Sequence, residues 1–151
     1  MKWFFTSKES QKILHRELRE WIGTPFRHYA GVKKAGADCI HFALTVYVNV
    51  GAVLDALHYI PRYSHDWCHH TSEQMLYKGL RAHKLFVEVG HKEPMNGDIL
   101  LYQFGRAASH CGIYHDGSVY QSIERIGVCR LYHKDPSWIG RLRFGFRVKN
   151  G

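Results

Sequence analysis

Ala35-Gly36-Ala37-Asp38-Cys39-Ile40-His41-Phe42-Ala43-Leu44-Thr45-Val46-Tyr47-Val48 reads as a glycine loop running into one buried helix. Asp38 is a good N-cap residue. Behind it, Ile40, Ala43, Leu44, Tyr47 and Val48 recur at helical spacing, and Phe42, Val46 and Val50 fill the remaining faces. A helix that is apolar nearly all round must be enclosed by the rest of the chain. Gly51 is the expected stop. Cys39 then falls at the first helical position, where unpaired N–H groups and the positive end of the dipole favour a thiolate.

A thiolate nucleophile needs a base. Ser109-His110-Cys111-Gly112-Ile113-Tyr114-His115 alternates polar and apolar, turns at Asp116-Gly117, and returns as Ser118-Val119-Tyr120-Gln121-Ser122. This pattern predicts a β-hairpin with His110 opening the first strand and Gln121 on its partner. A helix-borne cysteine, a strand-borne histidine and a polar orienter make a cysteine hydrolase constellation. His115 competes with His110, but strict alternation points it to the other face of the strand. Ser122 and Glu124 compete with Gln121. A glutamine oxygen can accept the imidazole N–H and hold the tautomer, with less electrostatic support than a carboxylate gives.

These residues resemble the NlpC/P60 family of papain-like cysteine peptidases. The matching pieces are Trp21-Ile22-Gly23-Thr24-Pro25-Phe26-Arg27, Asp38-Cys39, Asn96-Gly97-Asp98-Ile99-Leu100, His110-Cys111-Gly112-Ile113-Tyr114 and Gln121-Ser122, in the family's order. Thr24 to His28, with Ile60-Pro61-Arg62-Tyr63-Ser64 and Asp66-Trp67, looks most like the phage and prophage branch of cell-wall peptidases. The resemblance implies a papain-like core with the cysteine helix packed on a sheet carrying the histidine. It implies acyl transfer to Cys39, and an amide substrate in a peptidoglycan stem peptide, commonly the bond from γ-D-glutamate to a diamino acid. Substrate binding is expected of Asp38, Phe26, Tyr29, His28 and Trp67. No cofactor is implied. The expected oxyanion donors are the Cys39 N–H and either the 36–38 loop or a side chain. Two positions depart from the family: Gln121 stands where histidine is commonest, and Phe26 where tyrosine is usual. Phe26 keeps a wall and loses a donor, for which Tyr29 or His28 are the replacements on offer.

The surrounding chain fits one α+β domain over all 151 residues, with helices first and antiparallel strands after. Thr6-Ser7-Lys8-Glu9 reads as a capping box with Thr6 as N-cap, followed by a helix face of Leu14, Leu18, Trp21 and Ile22. Residues 26 to 37 read as a loop. Another helix is expected from Thr71 or Ser72, and strands near 85–89, 98–104, 126–132 and 142–148. His65, Cys68, His69 and His70 lack the second ligand pair of a structural zinc site and read as a loop lining a groove.

The four cysteines, Cys39, Cys68, Cys111 and Cys129, form no CxxC pair and are expected as thiols. The net charge of +8 suits polyanions, including nucleic acid and anionic cell wall. No run reaches membrane-span length, and the N-terminus has no signal-like apolar core. Phage tail proteins as partners, with delivery by the particle, fit that pattern. The rival readings are an acyltransferase or amidase on another substrate, and a non-enzymatic basic module, of a phage tail or for nucleic-acid binding, with a relict site. Nucleic-acid binding is disfavoured because basic and aromatic residues form no known motif.

Overall fold

A computed structural model describes residues 1–151. A 3-10 turn, Phe4–Thr6, leads into helix α1 (Lys8–Trp21), which buries Leu14, Leu18 and Trp21 along one stripe. The cap of α1 is Ser7 rather than Thr6. The Ser7 hydroxyl oxygen accepts the Ser10 N–H at 3.0 Å. The Thr6 hydroxyl donates instead to the Trp3 carbonyl at 3.2 Å, because the preceding turn has already taken it up.

Residues 26 to 37 hold a small hairpin, β1 (Gly31–Val32) and β2 (Gly36–Ala37), in place of the expected open loop. The Ala37 N–H donates to the Pro25 carbonyl at 2.9 Å, and the Arg27 N–H to the Ala37 carbonyl at 3.2 Å. These bonds fix the chain just ahead of helix α2 (Cys39–Asn49). Asp38 caps α2 through the His41 N–H at 2.9 Å. Ile40, Phe42, Ala43, Leu44, Val46 and Tyr47 are buried, so the helix is enclosed on nearly every side. Each such large apolar side chain contributes about 1.5–3 kcal/mol relative to exposure.

Two 3-10 turns, Ala56–Tyr59 and Trp67–His69, precede α3 (Met75–Ala82). That helix starts later than the expected Thr71 or Ser72. The Thr71 hydroxyl oxygen accepts the Glu73 N–H at 3.1 Å, a local bond that competes with helix formation. The Gln74 side chain is drawn away to the Ala108 N–H at 2.9 Å.

The main sheet contains β3 (Phe86–Val89), β4 (Ile99–Phe104), β5 (Ala107–His115), β6 (Ser118–Ile123), β7 (Gly127–Tyr132) and β8 (Leu142–Val148). Its order is β3-β8-β4-β5-β6-β7, and every neighbouring pair is antiparallel. The architecture is therefore the α+β class read from the sequence. Strand β5 begins at Ala107, earlier than expected, because Phe104 pairs with Ala107 across a two-residue loop. The β5–β6 turn has positive φ at Asp116 (47°) and Gly117 (82°), as a type I′ hairpin requires. A short helix, α4 (Pro136–Ile139), precedes β8 and was not read from the pattern, although Asp135-Pro136 is a helix-start signal.

Both faces of the central strands are covered. Ile99, Leu101, Cys111, Ile113, Tyr120 and Phe146 join the large core beneath α2. Leu100, Tyr102, Val119 and Leu142 form a second cluster with Phe104, Tyr114 and Trp138. Strand β4 thus alternates between two cores, which accounts for its unbroken apolar run.

Candidate active site

Cys39 opens α2 and is only partly buried. Its thiol lies 3.8 Å from the Ser109 carbonyl oxygen and against His110 and Cys111. The hydrogen bond from Cys111 pulls the Cys39 pKa down most strongly. Burial pushes it up, and the hydrogen bond and charge of His110 pull it down again. Together they lower it to about 5. Cys111 moves the opposite way: burial, then its contact with Cys39, pushes its thiol well up, so it stays protonated as donor. The N-terminus of α2 favours the same charge on Cys39.

His110 Nε2 lies 2.6 Å from Gln121 Oε1. The amide oxygen can only accept, so Nε2 carries the proton and Nδ1 is left to serve the thiol. Gln121 is buried, and Gly112 makes room for it. A Cβ at Gly112 would meet Val119 at 2.6 Å and Gln121 Cβ at 3.1 Å. The other polar candidates are occupied elsewhere. The Ser122 hydroxyl donates to the Ala37 carbonyl at 2.7 Å, and Glu124 faces His65 at 3.3 Å. His115 packs on His15 of α1 with ring centroids 5.0 Å apart, away from Cys39.

Asp38 is buried beneath the thiol, and its partners are all protein groups. Oδ1 accepts the His41 N–H at 2.9 Å and faces His41 Nδ1 at 2.8 Å. Oδ2 accepts the Tyr29 N–H at 2.8 Å and the Tyr63 hydroxyl. Burial alone would raise this carboxyl. The hydrogen bonds from the His41 ring, the Tyr63 hydroxyl and the His41 N–H outweigh it and hold the group below its usual range. Burial and the Asp38 charge push the Tyr63 hydroxyl well up, keeping it a donor.

The thiol opens into a cleft of about 1140 Å³, counting the solvent at its mouth. Phe26, His28, Asp38 and Trp67 line it, as do Cys39 and His110. Tyr29 does not. Its ring packs behind on His41 at 4.6 Å and Tyr63 at 5.3 Å, and only its N–H reaches the Asp38 network. Gln121 stands behind His110 and is also not part of the wall. His65 and His69 line the rim, whereas His70 turns to Asp66 at 2.9 Å.

Sequence reasoning missed Tyr63, Phe104 and Trp138 as cleft residues. Tyr63 brings into the cleft the hydroxyl that Phe26 lacks. Its only signal was its place in the Ile60-Pro61-Arg62-Tyr63-Ser64 segment. Trp138 follows the Asp135-Pro136 helix start, and nothing in its spacing points to a distant strand.

The fold, with a cysteine-bearing helix enclosed against an antiparallel sheet, is that of papain-like NlpC/P60 proteins. The model of the NlpC/P60 family matches residues 23–141. The chain belongs to the NlpC/P60 family. No curated protein sequence gives a significant match. Among solved structures, the chain is similar to an NLP/P60-family protein from Staphylococcus aureus described as similar to lipoprotein. The TM-score is 0.65 at 19% identity, over 96% of this chain and 43% of that one. It is also similar to an NlpC/P60 family protein from Bacillus cereus, with TM-score 0.64 at 19% identity over 93% of this chain and 40% of that one. A third is the peptidoglycan hydrolase RipB from Mycobacterium tuberculosis, with TM-score 0.62 at 17% identity over 95% and 67% of the two chains. The chain thus spans about two fifths of the length of the first two.

Proposed function

We propose that the chain is a single cysteine hydrolase domain that cleaves an amide bond in peptidoglycan stem peptides, of the γ-D-glutamate to diamino acid type. The observation that carries this reading is the line from Cys39 through His110 to Gln121: a thiol at a helix N-terminus against His110, and an imidazole held by a 2.6 Å bond to Gln121. Family membership and the description of RipB as a peptidoglycan hydrolase support the substrate class. In this mechanism the Cys39 thiolate attacks the carbonyl carbon, and His110 protonates the leaving amine. Water then attacks the thioester, giving up a proton to His110, and releases the acid. The Cys39 N–H, without an intrahelical acceptor, faces the developing oxyanion. The N–H groups of Ala37 and Asp38 are committed to the Pro25 and Ala30 carbonyls at 2.9 and 3.0 Å. That leaves the Gly36 N–H or a side chain as the second donor. Phe26, His28 and Trp67 form the substrate walls, and Asp38 acts by holding Tyr63 and the Tyr29 loop beside them.

Incubation with purified muropeptides followed by mass spectrometry tests this reading. Wild-type protein should give two fragments separated at the γ-D-glutamyl amide, with water added. Cys39→Ala should give none, and Cys68→Ala and Cys129→Ala should match wild type. Absence of cleavage by the wild type across wall chemotypes would overturn it.

A further inference from the structure

Three aromatic rings pack around the imidazole of His110, two from β4 and one from the short helix α4. Tyr102, its cross-strand partner, lies 6.1 Å away by ring centroids, and Phe104 approaches edge-on at 5.8 Å and 81°. Trp138 is nearest, at 5.4 Å and tilted by 43°. The indole is itself braced, edge to face, by Tyr102 at 5.6 Å and 88° and by Phe104 at 5.5 Å and 62°. Helix α4 fixes its position: Pro136 stands at the helix start, and Asp135 caps it through the Ser137 N–H at 2.9 Å. Trp138 and His110 line the same cleft, side by side and both half-buried.

We propose that Trp138 is a positioning residue that holds the protonated form of His110 in place for proton transfer. An indole attracts a neighbouring cation, and a ring packed on the imidazole at 5.4 Å hinders its rotation away from Gln121. The other groups facing His110 are Cys39 from α2, Tyr102 from β4 and the neutral Gln121 from β6. Arg141 lies over the Phe104 ring at 4.3 Å. Cys39 is the only one of these that carries negative charge at neutral pH, so the neutral share of the support comes from Gln121 and the aromatic rings, of which Trp138 is nearest. The inference rests on His110 acting as the acid–base group of the proposed hydrolase.

The test separates the two. Imidazole NMR follows the pH midpoint at which His110 loses its second proton, whether or not a substrate is known. Trp138→Leu should move that midpoint down by about half to one pH unit. Trp138→Phe, which keeps a ring, should move it by a fraction of that. With muropeptide, the basic limb of kcat/KM should move by the same amount, and the acid limb set by Cys39 should stay. Wild-type protein that cleaves nothing would sink the hydrolase reading and leave the NMR arm intact. A His110 midpoint unchanged in folded Trp138→Leu would overturn the role of Trp138. Should that variant not fold, an unchanged midpoint in Trp138→Phe does so.

Discussion

At the scale of single residues, the site is a set of unequal supports around one imidazole. Gln121 accepts a proton-bearing nitrogen through a neutral oxygen, so it fixes orientation more than charge. Gln121→Ala should leave the fold intact and lower turnover by about 10- to 100-fold, less than the about 10²–10⁴ attributable to acid–base catalysis itself. Gln121→His, which restores the residue commoner in the family, should retain most activity. Turnover and pH–rate profiles of the single variants check this. An unchanged rate in Gln121→Ala with a large loss in Glu124→Ala would move the role to the carboxylate, against the observed pairing of Glu124 with His65.

At the scale of elements, α2 and the loop before it behave as one unit because Asp38 ties them together. Its carboxylate accepts from the first turn of the helix, from the 28–30 loop and from Tyr63. Asp38→Ala should therefore cost more than the about 0.5–2 kcal/mol of an ordinary cap. Each donor left buried and unpaired adds about 1–3 kcal/mol. Urea denaturation near pH 7 measures the loss, and a value under about 1 kcal/mol would show the network to be dispensable. The carboxyl's lowered pKa sets the sign of the pH effect. Its stabilisation is complete above the unfolded value of about 3.9 and is lost as pH falls through the lower folded value.

For the whole molecule, two buried histidines away from the cleft set a second pH dependence. Burial pushes His115 and His133 down, which favours their neutral forms in the fold. Such groups contribute stability that is complete above the unfolded value of about 6.5 and lost as pH falls toward the folded values. The urea midpoint should therefore fall between pH 7.5 and 5.5, and His115→Phe with His133→Phe should flatten that slope. A midpoint that rises on acidification would contradict this. Local pattern was enough to place the cysteine helix, the Asp116-Gly117 hairpin and the α+β class, because periodicity, caps and turn residues act within a few positions of the chain. It also put His110 and His115 on opposite faces. What pattern did not reveal lies in contacts between distant segments. The Asp38 network needs Tyr63, the aromatic packing around His110 needs Trp138, and the lowered Cys39 pKa needs Cys111. Those side chains meet only when helices and sheet close on one core, and no spacing in the sequence encodes a distance across it. The sequence by itself determined the elements and the chemical types at the candidate site; tertiary packing decided which neighbours surround each group, and hence its charge and orientation.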